Sequence, residues 1–320
     1  MENNDKTKIA VILSMYDGLQ FISEQVDSIL LQNIPIDVDL KLYIRNDQEV
    51  SSDETLDYLS KIKHNPRIAI LPNYGKNLGV QNSFLELLKC VKADYYFFSD
   101  QDDIWNKNKV SSFLKSFNLM EDSANLPTLL YSDVELIDAS GKIMNVEFSE
   151  IVRNRSQNGF EHRIFYDNVT GAAMAINRKL RDLIVRVNME SFSSVPMHDS
   201  AIAQLASLSG QIGFLPEKLI CYRQHEKNTL GIKSKHLFKF GITNLNKKIH
   251  QHASHLKQAE LMISILDENE IVISNKKFIS MIGNSKKQSF LKKIKNGYLL
   301  SKYAEGFFNK IVVVIVKMIN

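Results

Sequence analysis

The sequence predicts an α/β protein in which helices flank a mostly parallel, doubly wound sheet. Two observations support this fold class. Segments of strand character alternate with segments of helical periodicity through the first half of the chain, with short connections, as in parallel sheets built from crossover units. The aromatic segment Tyr95–Phe98 then runs directly into three carboxylates, Asp100, Asp102 and Asp103. Open α/β sheets bind ligands at the carboxyl ends of their strands, so we expect these acids at such an end.

The first four strands and the helices between them follow from apolar spacing. Buried or alternating apolar residues predict strands at Lys8–Leu13, Asp39–Arg45, Arg67–Leu71 and Asp94–Ser99. Apolar residues at helical spacing predict helices at Phe21–Leu31, after Ser52–Thr55, after Asn77–Gly79 and at Lys107–Phe117. We expect Ser52 or Asp53 to be an N-cap, because both side chains can accept a hydrogen bond from a first-turn N–H group.

The second half continues the sheet and then changes in character. Strands are predicted at Leu129–Ile137, at Asn168–Ile176 and, as a pair around Pro216, within Ile212–Tyr222; a helix is predicted at Met197–Leu208. Beyond Gly231, Lys, Asn, Ile and Leu dominate, and helical periodicity in Ile249–Leu266 replaces alternation. We therefore divide the chain into an α/β domain at 1–230 and a basic, mainly helical C-terminal extension at 231–320.

The composition is that of a soluble globular protein. Of 320 residues, 44% are hydrophobic and 24% are charged, which is ordinary for this class. Cys90 and Cys221 form no CxxC pair, which argues against a disulfide framework or a thiolate zinc site and favours a reducing cytoplasm. The apolar run near the N-terminus is too short for a secretion signal or a spanning helix, and we expect it to be the first strand.

Charge is distributed unevenly along the chain. The net charge is +4, but residues 231–320 contain 16 Lys and no Arg against five acidic residues, a net of +11, whereas residues 1–230 carry −7. Such a basic region is expected to face an anionic partner, and nucleic acid and an anionic membrane leaflet are the two candidates. Charged residues on both sides of the apolar block Ile311–Val316 leave too few consecutive apolar residues for a transmembrane helix. Two alternatives stay open for this block: a position in the membrane interface, or a strand or core helix packed on the main domain.

The three carboxylates at 100–103 predict a cation site. Clustered acids repel one another and resist burial unless a cation lies between them. Oxygen ligands point to Mg²⁺ or Mn²⁺. A calcium loop of the EF-hand type is excluded, because Ile104 stands where a ligand and a glycine should follow. The alternative is that the acids only cap the helix at Lys107–Phe117.

Seven motifs resemble those of the family 2 inverting glycosyltransferases of the GT-A fold, and most of all the bacterial rhamnosyltransferase-type enzymes of polysaccharide assembly. The resemblance covers about residues 8–231. Its carriers, in order, are SMYDG, RNDQEVSSDET, KNLGVQNSF, FFSDQDDIWNKNKV, TGAAMAIN, MHDS and YRQHEKNTLG. It implies a Rossmann-like sheet that binds a nucleotide-sugar and an acceptor within residues 1–230.

The resemblance implies a metal and diphosphate site around the acidic segment. Asp100 is expected near the nucleotide ribose and Asp102 on the metal, with Asp103 supporting them or capping the next helix. Arg223 and His225 are expected at the diphosphate, His225 also as a metal ligand. A divalent cation held there would stabilise the negative charge of the leaving diphosphate.

The resemblance also implies a nucleobase site at the end of the second strand. Asn46 and Asp47 stand where the family usually has two aspartates that contact the base, and two extra residues precede Ser52. Asp47 is expected to make the base contact, with a plain Asn-Asp turn as the alternative. Three further donor contacts are predicted, each with a structural alternative: Tyr16 near the base or in the core, Lys76 on a phosphate or in solvent, and Gly79 allowing close backbone approach or a tight turn.

Asp199 aligns with the family's catalytic aspartate. Its implied role is the general base that takes the proton of the acceptor hydroxyl while C1 of the donor is attacked from the opposite face; the alternative is an N-cap. His198 is expected to support it on the acceptor side. The small residues of Thr170, Gly171 and Ala172 resemble an acceptor wall that leaves room for a sugar ring, with tight packing as the alternative.

The resemblance therefore implies a metal-dependent inverting glycosyltransferase at the cytoplasmic face of a bacterial membrane, acting on a growing lipid-linked or cell-surface glycan. dTDP-rhamnose is favoured as the donor and UDP-sugars come next; no nucleic-acid partner is expected. Two other classes stay open. A nucleotidyltransferase should show a Gly/Arg/Lys-rich phosphate loop, which SMYDGLQF is not, and a non-catalytic membrane-binding adaptor would not explain the carboxylates.

Overall fold

A computed structural model of the chain describes residues 6–122, 124–148, 152, 159–164, 168–187, 197–226, 242–271, 276–282, 289–304 and 307–319. Its centre is one mixed sheet. The strands are β1 Thr7–Met15, β2 Val38–Asn46, β3 Ile68–Leu71, β4 Tyr95–Ser99, β5 Ile104–Trp105, β6 Thr128–Ile137, β7 Met174–Asn177 and β8 Gln211–Arg223. Their order across the sheet is β3-β2-β1-β4-β7-β6-β8-β5.

Most neighbouring strands run parallel, which confirms the predicted fold class. β1 pairs in parallel with both β2 and β4, β2 with β3, and β6 with β8. β7 is antiparallel to β4 and to β6, and β5 is antiparallel to β8. The carboxyl ends of β1, β2, β4, β6 and β8 therefore lie along one edge of the sheet, together with the amino end of β7.

Helices cover both faces of this sheet. They are α1 Ile22–Leu30, α2 Asp53–Ile62, α3 Gly79–Cys90, α4 Lys109–Glu121, α5 Phe160–Arg163, α6 Arg178–Arg186, α7 His198–Ser209, α8 Ile242–Glu268, α9 Lys276–Ile282, α10 Phe290–Ser301 and α11 Phe307–Ile319. The Ser52 side chain caps α2 by accepting a hydrogen bond from the Thr55 N–H at 3.2 Å, so the prediction of a cap at this position is confirmed.

The aromatic strand β4 is buried on both of its faces. Tyr96 and Phe98 pack into one hydrophobic cluster with α3 and α7, whereas Tyr95 and Phe97 pack into a second cluster with α1 and α4. A strand with two apolar faces has no polar alternation, which is typical of the centre of a parallel sheet.

Two predictions of secondary structure need correction, and one strand was missed. The segment predicted as one strand at Asn168–Ile176 begins with a 3₁₀ turn at Gly171–Ala173, and only β7 is extended. The predicted strand pair around Pro216 is the single strand β8, whose register with β6 shifts beside Pro216; proline has no N–H to give to a ladder and is tolerated at such an irregularity. The short strand β5 was not predicted.

The C-terminal helices pack on the α/β domain. α8 lies on α7 and on α11, and α10 lies on α11. Val312, Val313 and Val316 of α11 are buried in the same hydrophobic cluster as α3 and α7. Of the two alternatives for the apolar block near the C-terminus, the structure shows the packed helix. Among the helices of the described residues, none combines the length and the apolar composition that crossing a bilayer requires.

Candidate active site

The three acidic side chains after β4 converge at the carboxyl edge of the sheet. Asp100, Asp102 and Asp103 each offer a carboxylate oxygen, and these oxygens lie within 4.8 Å of one another. Asp103 is fully buried, and its Oδ2 has no hydrogen-bond partner among the described residues. An all-oxygen donor set with an unpartnered buried carboxylate oxygen fits a hard divalent cation such as Mg²⁺ or Mn²⁺.

Burial and mutual repulsion shift the protonation of these groups. Burial, with the charges of Asp102 and Asp199 adding to it, raises the pKa of Asp100 to about 7. Burial and the two neighbouring aspartates also raise the pKa of Asp103 well above its ordinary value. Because a bound cation favours the ionised form of a carboxylate, both shifts describe a site that is electrostatically prepared for a positive charge.

The general-base candidate lies close enough to the acidic segment to affect it, because the charge of Asp199 adds to the rise in the pKa of Asp100. Burial raises the pKa of Tyr222, and the charges of Asp100, Asp103, Asp102 and Asp199 raise it further. All four carboxylates therefore influence the pKa of the same Tyr222 hydroxyl. The fold thus brings Asp199 to the acidic segment although 96 residues or more separate them in the sequence.

Asp199 is held by two backbone N–H groups. It lies in the first turn of α7 and is buried. Its Oδ2 accepts from the Gly171 N–H at 3.0 Å, and its Oδ1 accepts from the Ser200 N–H at 2.7 Å. Each carboxylate oxygen keeps a second lone pair. The predicted base is therefore oriented by the chain and retains the capacity to accept a proton.

Gly171 touches both acceptor-side residues of α7. A Cβ atom at this position would lie 3.2 Å from the Oδ2 of Asp199 and 3.2 Å from the Nε2 of His198. A larger residue here would have to displace one of these two side chains, so close approach favours the glycine. Thr170 is partly exposed beside it, and Ala172 is buried, so the predicted acceptor wall lies directly against the predicted base.

His198 is a buried neutral ring. It stacks on Phe84 with ring centroids 4.4 Å apart and on Phe98 at 5.7 Å. Burial lowers its pKa. Neither ring nitrogen has a hydrogen-bond partner among the described residues, and the Nε2 is the one that approaches Gly171.

The end of β8 is tied to the acidic segment. The Nε2 of His225 lies 2.7 Å from the Oδ2 of Asp102, which places the two predicted metal ligands in contact. The Arg223 N–H donates to the Oδ1 of Asp103 at 3.0 Å, and its Nε donates to the backbone carbonyl of Asp102 at 2.7 Å. The guanidinium also pairs with Glu24 at 2.5 Å. Arg223 is thus a clamp on the acidic segment, and the phosphate contact predicted for it stays a prediction.

Lys109 is a site residue that the sequence reasoning missed. It is fully buried, donates from its Nζ to the Ala172 carbonyl at 2.7 Å, and lies 3.8 Å above the Trp105 ring. Burial lowers its pKa to about 7, while the charges of Asp103 and Asp100 oppose this shift. It joins the acidic segment to the acceptor wall. The sequence pattern could have identified it, because Lys109 lies on the same helix face as Phe113, where an apolar residue is expected.

The end of β2 is organised by an internal ion pair. Arg45 and Asp47 are both buried and form a salt bridge. Asp47 also accepts from the Leu78 N–H at 2.9 Å. Asn46 donates from its Nδ2 to the Ser51 Oγ at 2.6 Å, and its Oδ1 is buried without a partner among the described residues. The base contacts predicted for Asn46 and Asp47 stay predictions, with Asn46 offering the free acceptor.

The remaining predicted donor residues surround this edge. Tyr16 is 56% exposed, so it is not a core residue. Its backbone N–H donates to the Gln101 side chain at 2.8 Å, which ties the loops after β1 and β4 together. Lys76 is exposed, and its carbonyl accepts from Arg45 at 3.1 Å. Gly79 has φ +74 at the start of α3 and faces open space, so a conformation that favours glycine accounts for it.

Known proteins resemble this chain in sequence. Residues 10–183 match the family described as Glycosyl transferase family 2. The dTDP-rhamnosyl transferase RfbG of Shigella flexneri is 29% identical over 229 residues, which cover 68% of this chain and 73% of that protein. WfaP of Escherichia coli, named as a UDP-Glc:alpha-D-GlcNAc-diphosphoundecaprenol beta-1,3-glucosyltransferase, is 32% identical over 105 residues, which cover 32% of this chain and 39% of that protein.

A crystal structure of S. aureus TarS residues 1–349 in complex with UDP-GlcNAc aligns with 93% of this chain and 82% of its own, at 13% identity and a TM-score of 0.48. The family match, together with the sheet order and flanking helices, confirms the predicted GT-A fold. The family match also confirms the prediction of a glycosyltransferase, in preference to a nucleotidyltransferase or a non-catalytic adaptor. Because the match spans more than half of its residues, the chain belongs to glycosyl transferase family 2.

Proposed function

We propose that this glycosyltransferase is metal-dependent and inverting, and that Asp199 is its general base. The observation that carries the proposal is the position of Asp199. Its carboxylate accepts hydrogen bonds from two backbone N–H groups, one of them that of Gly171 in the predicted acceptor wall. The charges of Asp199 and of the acidic cluster together raise the pKa of Tyr222. A base and a cation site at one edge are what a single displacement at a sugar carbon requires.

The donor side of the proposal uses the acidic segment. Asp102 and His225 would hold Mg²⁺ or Mn²⁺, which would act there as a Lewis acid that stabilises the departing nucleoside diphosphate. Asp100 is proposed to bind the ribose. Arg223 keeps the segment in place through its contacts to Asp102 and Asp103.

The transfer itself follows from these positions. An acceptor hydroxyl lies against Thr170–Ala172 and gives its proton to a carboxylate oxygen of Asp199. The acceptor oxygen forms a bond to C1 of the sugar while the bond between C1 and the diphosphate oxygen breaks. Attack and departure occur on opposite faces, so the configuration at C1 inverts.

The donor and the acceptor are proposed from the relatives. RfbG is named as a dTDP-rhamnosyl transferase and WfaP as an enzyme acting on a diphosphoundecaprenol-linked sugar. We therefore infer dTDP-rhamnose as the first donor to test and UDP-sugars next, with a lipid-linked or cell-surface glycan as the acceptor. The proposed location is the cytoplasmic face of the membrane, with peripheral attachment.

Sugar transfer by the purified full-length chain tests the proposal. Release of dTDP or UDP is measured with a panel of nucleotide-sugars and Mn²⁺, and product configuration is read by NMR. Asp199→Asn is expected to lower kcat by about 10²- to 10⁴-fold, the usual contribution of a general base. The control is Asp57→Asn, an exposed acid paired with Lys61. Full activity in Asp199→Asn, or a product with retained configuration, would contradict the proposal.

A further inference from the structure

Helix α10 presents a basic and apolar stripe to solvent. We use the name α10 stripe for five exposed residues at helical spacing: Leu291, Lys292, Lys295, Tyr298 and Lys302. Leu291 is 78% exposed and Tyr298 is 62% exposed. Large apolar side chains with this much exposure on a helix that is otherwise packed are not needed for the fold.

The opposite face of α10 is fixed against α11. A Cβ atom at Gly297 would lie 3.1 Å from the Cα of Val314, so the two helices cross in direct backbone contact. Asn296, Leu300 and Ser301 are buried on this side. The packing of α10 therefore determines which side chains point outward, and the α10 stripe is held in one orientation.

The sequence around the α10 stripe is rich in lysine, and the next acidic residue along the chain is Glu305. Residues 271–304 contain eight Lys and no acidic residue. Among the described residues, Lys292, Lys295 and Lys302 form no ion pair; Lys302 lies 5.7 Å from the Tyr298 ring. Three unpaired amines on one helix face are complementary to a dense anionic surface.

We propose that the α10 stripe docks the enzyme on an anionic phospholipid bilayer. This inference rests on the proposed peripheral location and names the surface responsible for it. The lysine amines reach the headgroup phosphates while Leu291 and Tyr298 enter the boundary between headgroups and acyl chains. The attachment is reversible and weakens with salt, because a few lysines and two shallow apolar groups give only modest affinity.

The apolar members of the α10 stripe favour a bilayer over nucleic acid. A phosphate backbone would be bound by the lysines alone and would leave Leu291 in water. Aromatic and aliphatic side chains next to lysines are instead typical of residues at a membrane interface.

Vesicle binding by the full-length chain tests the inference. Co-sedimentation is measured with phosphatidylcholine vesicles that contain or lack phosphatidylglycerol. We expect binding only with phosphatidylglycerol. In the variant Lys292→Gln/Lys295→Gln/Lys302→Gln, binding is expected to fall by about fivefold per lysine and on the order of 100-fold in total. The matched control is Lys63→Gln/Lys92→Gln/Lys115→Gln, three exposed lysines of the α/β domain, which should bind as the wild type does.

A second variant separates a bilayer from other polyanions. Leu291→Gln/Tyr298→Gln is expected to weaken vesicle binding several-fold and to leave binding to duplex DNA unchanged, with Leu56→Gln/Leu119→Gln on exposed positions of α2 and α4 as its control. Equal loss in the lysine control, unchanged vesicle binding in both stripe variants, or failure of the wild type to bind anionic vesicles would overturn the inference.

Activity on a soluble acceptor distinguishes this inference from the proposed function. The stripe variants should retain sugar transfer in solution, since the α10 stripe lies outside the catalytic edge. Transfer without vesicle binding by the wild type would overturn the docking inference alone. Vesicle binding without transfer would overturn the proposed function alone.

Discussion

Two strands of the sheet end in acidic side chains, and the two ends differ in whether the protein supplies partners for the carboxylates. At the end of β2, Asp47 is neutralised by Arg45 and by the Leu78 N–H, all within the protein. At the end of β4, three carboxylates converge, and one buried oxygen of Asp103 has no partner among the described residues. The first acid is satisfied by the fold, whereas the second group requires something that the fold does not supply.

The positive groups near the two ends explain the contrast. Arg45 is always charged and forms a direct ion pair. Lys109 faces the β4 cluster, but its Nζ donates to the Ala172 carbonyl, and burial lowers its pKa to about 7. It therefore compensates the carboxylates only in part. Full ionisation of the three carboxylates would therefore leave a surplus of negative charge, and a divalent cation has the charge to balance it.

The largest expected effect is the loss of activity on removing a carboxylate from the β4 cluster. Asp102→Ala should lower kcat by about 10³-fold, because stabilisation of the leaving diphosphate is lost. Mn²⁺ should also no longer raise the Tm of the variant. Sugar transfer and a thermal melt with and without Mn²⁺ measure the two effects. An Asp102→Ala enzyme that keeps its Mn²⁺ response would place the cation elsewhere.

Removing the carboxylate at the end of β2 should lower the stability of the protein. Asp47→Ala leaves the Arg45 guanidinium buried without its carboxylate, which costs about 3–5 kcal/mol in the free energy of unfolding. The Mn²⁺ response should persist, since the β4 cluster is intact. Urea unfolding measures the loss, and Arg45→Met/Asp47→Ala should recover part of it by removing the unpaired charge. A loss of Mn²⁺ binding in Asp47→Ala would erase the distinction between the two ends.

The β4 end was predictable from sequence because its signals are local. The aromatic run, the three acids and Trp105 are contiguous, and an apolar strand followed by polar groups identifies a strand end without knowledge of the rest of the fold. The N-cap at Ser52 was predictable for the same reason, since a cap and its helix are neighbours in sequence.

The resemblance alone predicted that His225 would meet Asp102; the other partners come from distant parts of the chain and were not predictable. Arg223 clamps Asp103 from 120 positions away, and Lys109 reaches Ala172 across 63. Periodicity places a lysine on the buried face of α4 but cannot say which carbonyl it meets. The 3₁₀ turn at Gly171–Ala173 was missed in the same way, since small residues suit both a packed strand and a turn, and the Asp199 carboxylate that the turn contacts is 28 positions away.

The pH dependence of stability should also separate the two ends. Burial raises the pKa of Asp100 to about 7, with Asp102 and Asp199 adding to the shift and Lys109 opposing it. A raised carboxyl pKa means that ionisation opposes folding. In the metal-free protein this cost is full above pH 7, shrinks as the pH falls from about 7 towards 4, and disappears below the unfolded-state value.

Asp100→Asn should remove this dependence. The variant is expected to exceed the wild type by about 4 kcal/mol in free energy of unfolding at pH 8 and to match it near pH 4. The difference between the two curves reports Asp100 together with the changes that its removal causes in the pKa values of Asp103 and Lys109. Saturating Mn²⁺ should stabilise the wild type at pH 8 and leave Asp100→Asn less affected. A constant difference across this pH range would mean that Asp100 does not titrate in it.

The smallest expected effect concerns the partial compensation by Lys109. Lys109→Met keeps much of the side-chain volume and removes a positive charge next to Asp100 and Asp103. The variant should bind Mn²⁺ about three- to fivefold more tightly, because one competing charge near the site is lost. Its kcat should fall about tenfold, because the Ala172 carbonyl loses its donor and the turn that orients Asp199 shifts.

A purely structural lysine would lower Tm and leave Mn²⁺ affinity unchanged or weaker, so tighter binding combined with slower transfer distinguishes the two roles. Lys109→Arg supplies the matched control, since it restores the charge next to the carboxylates and should return Mn²⁺ affinity towards that of the wild type.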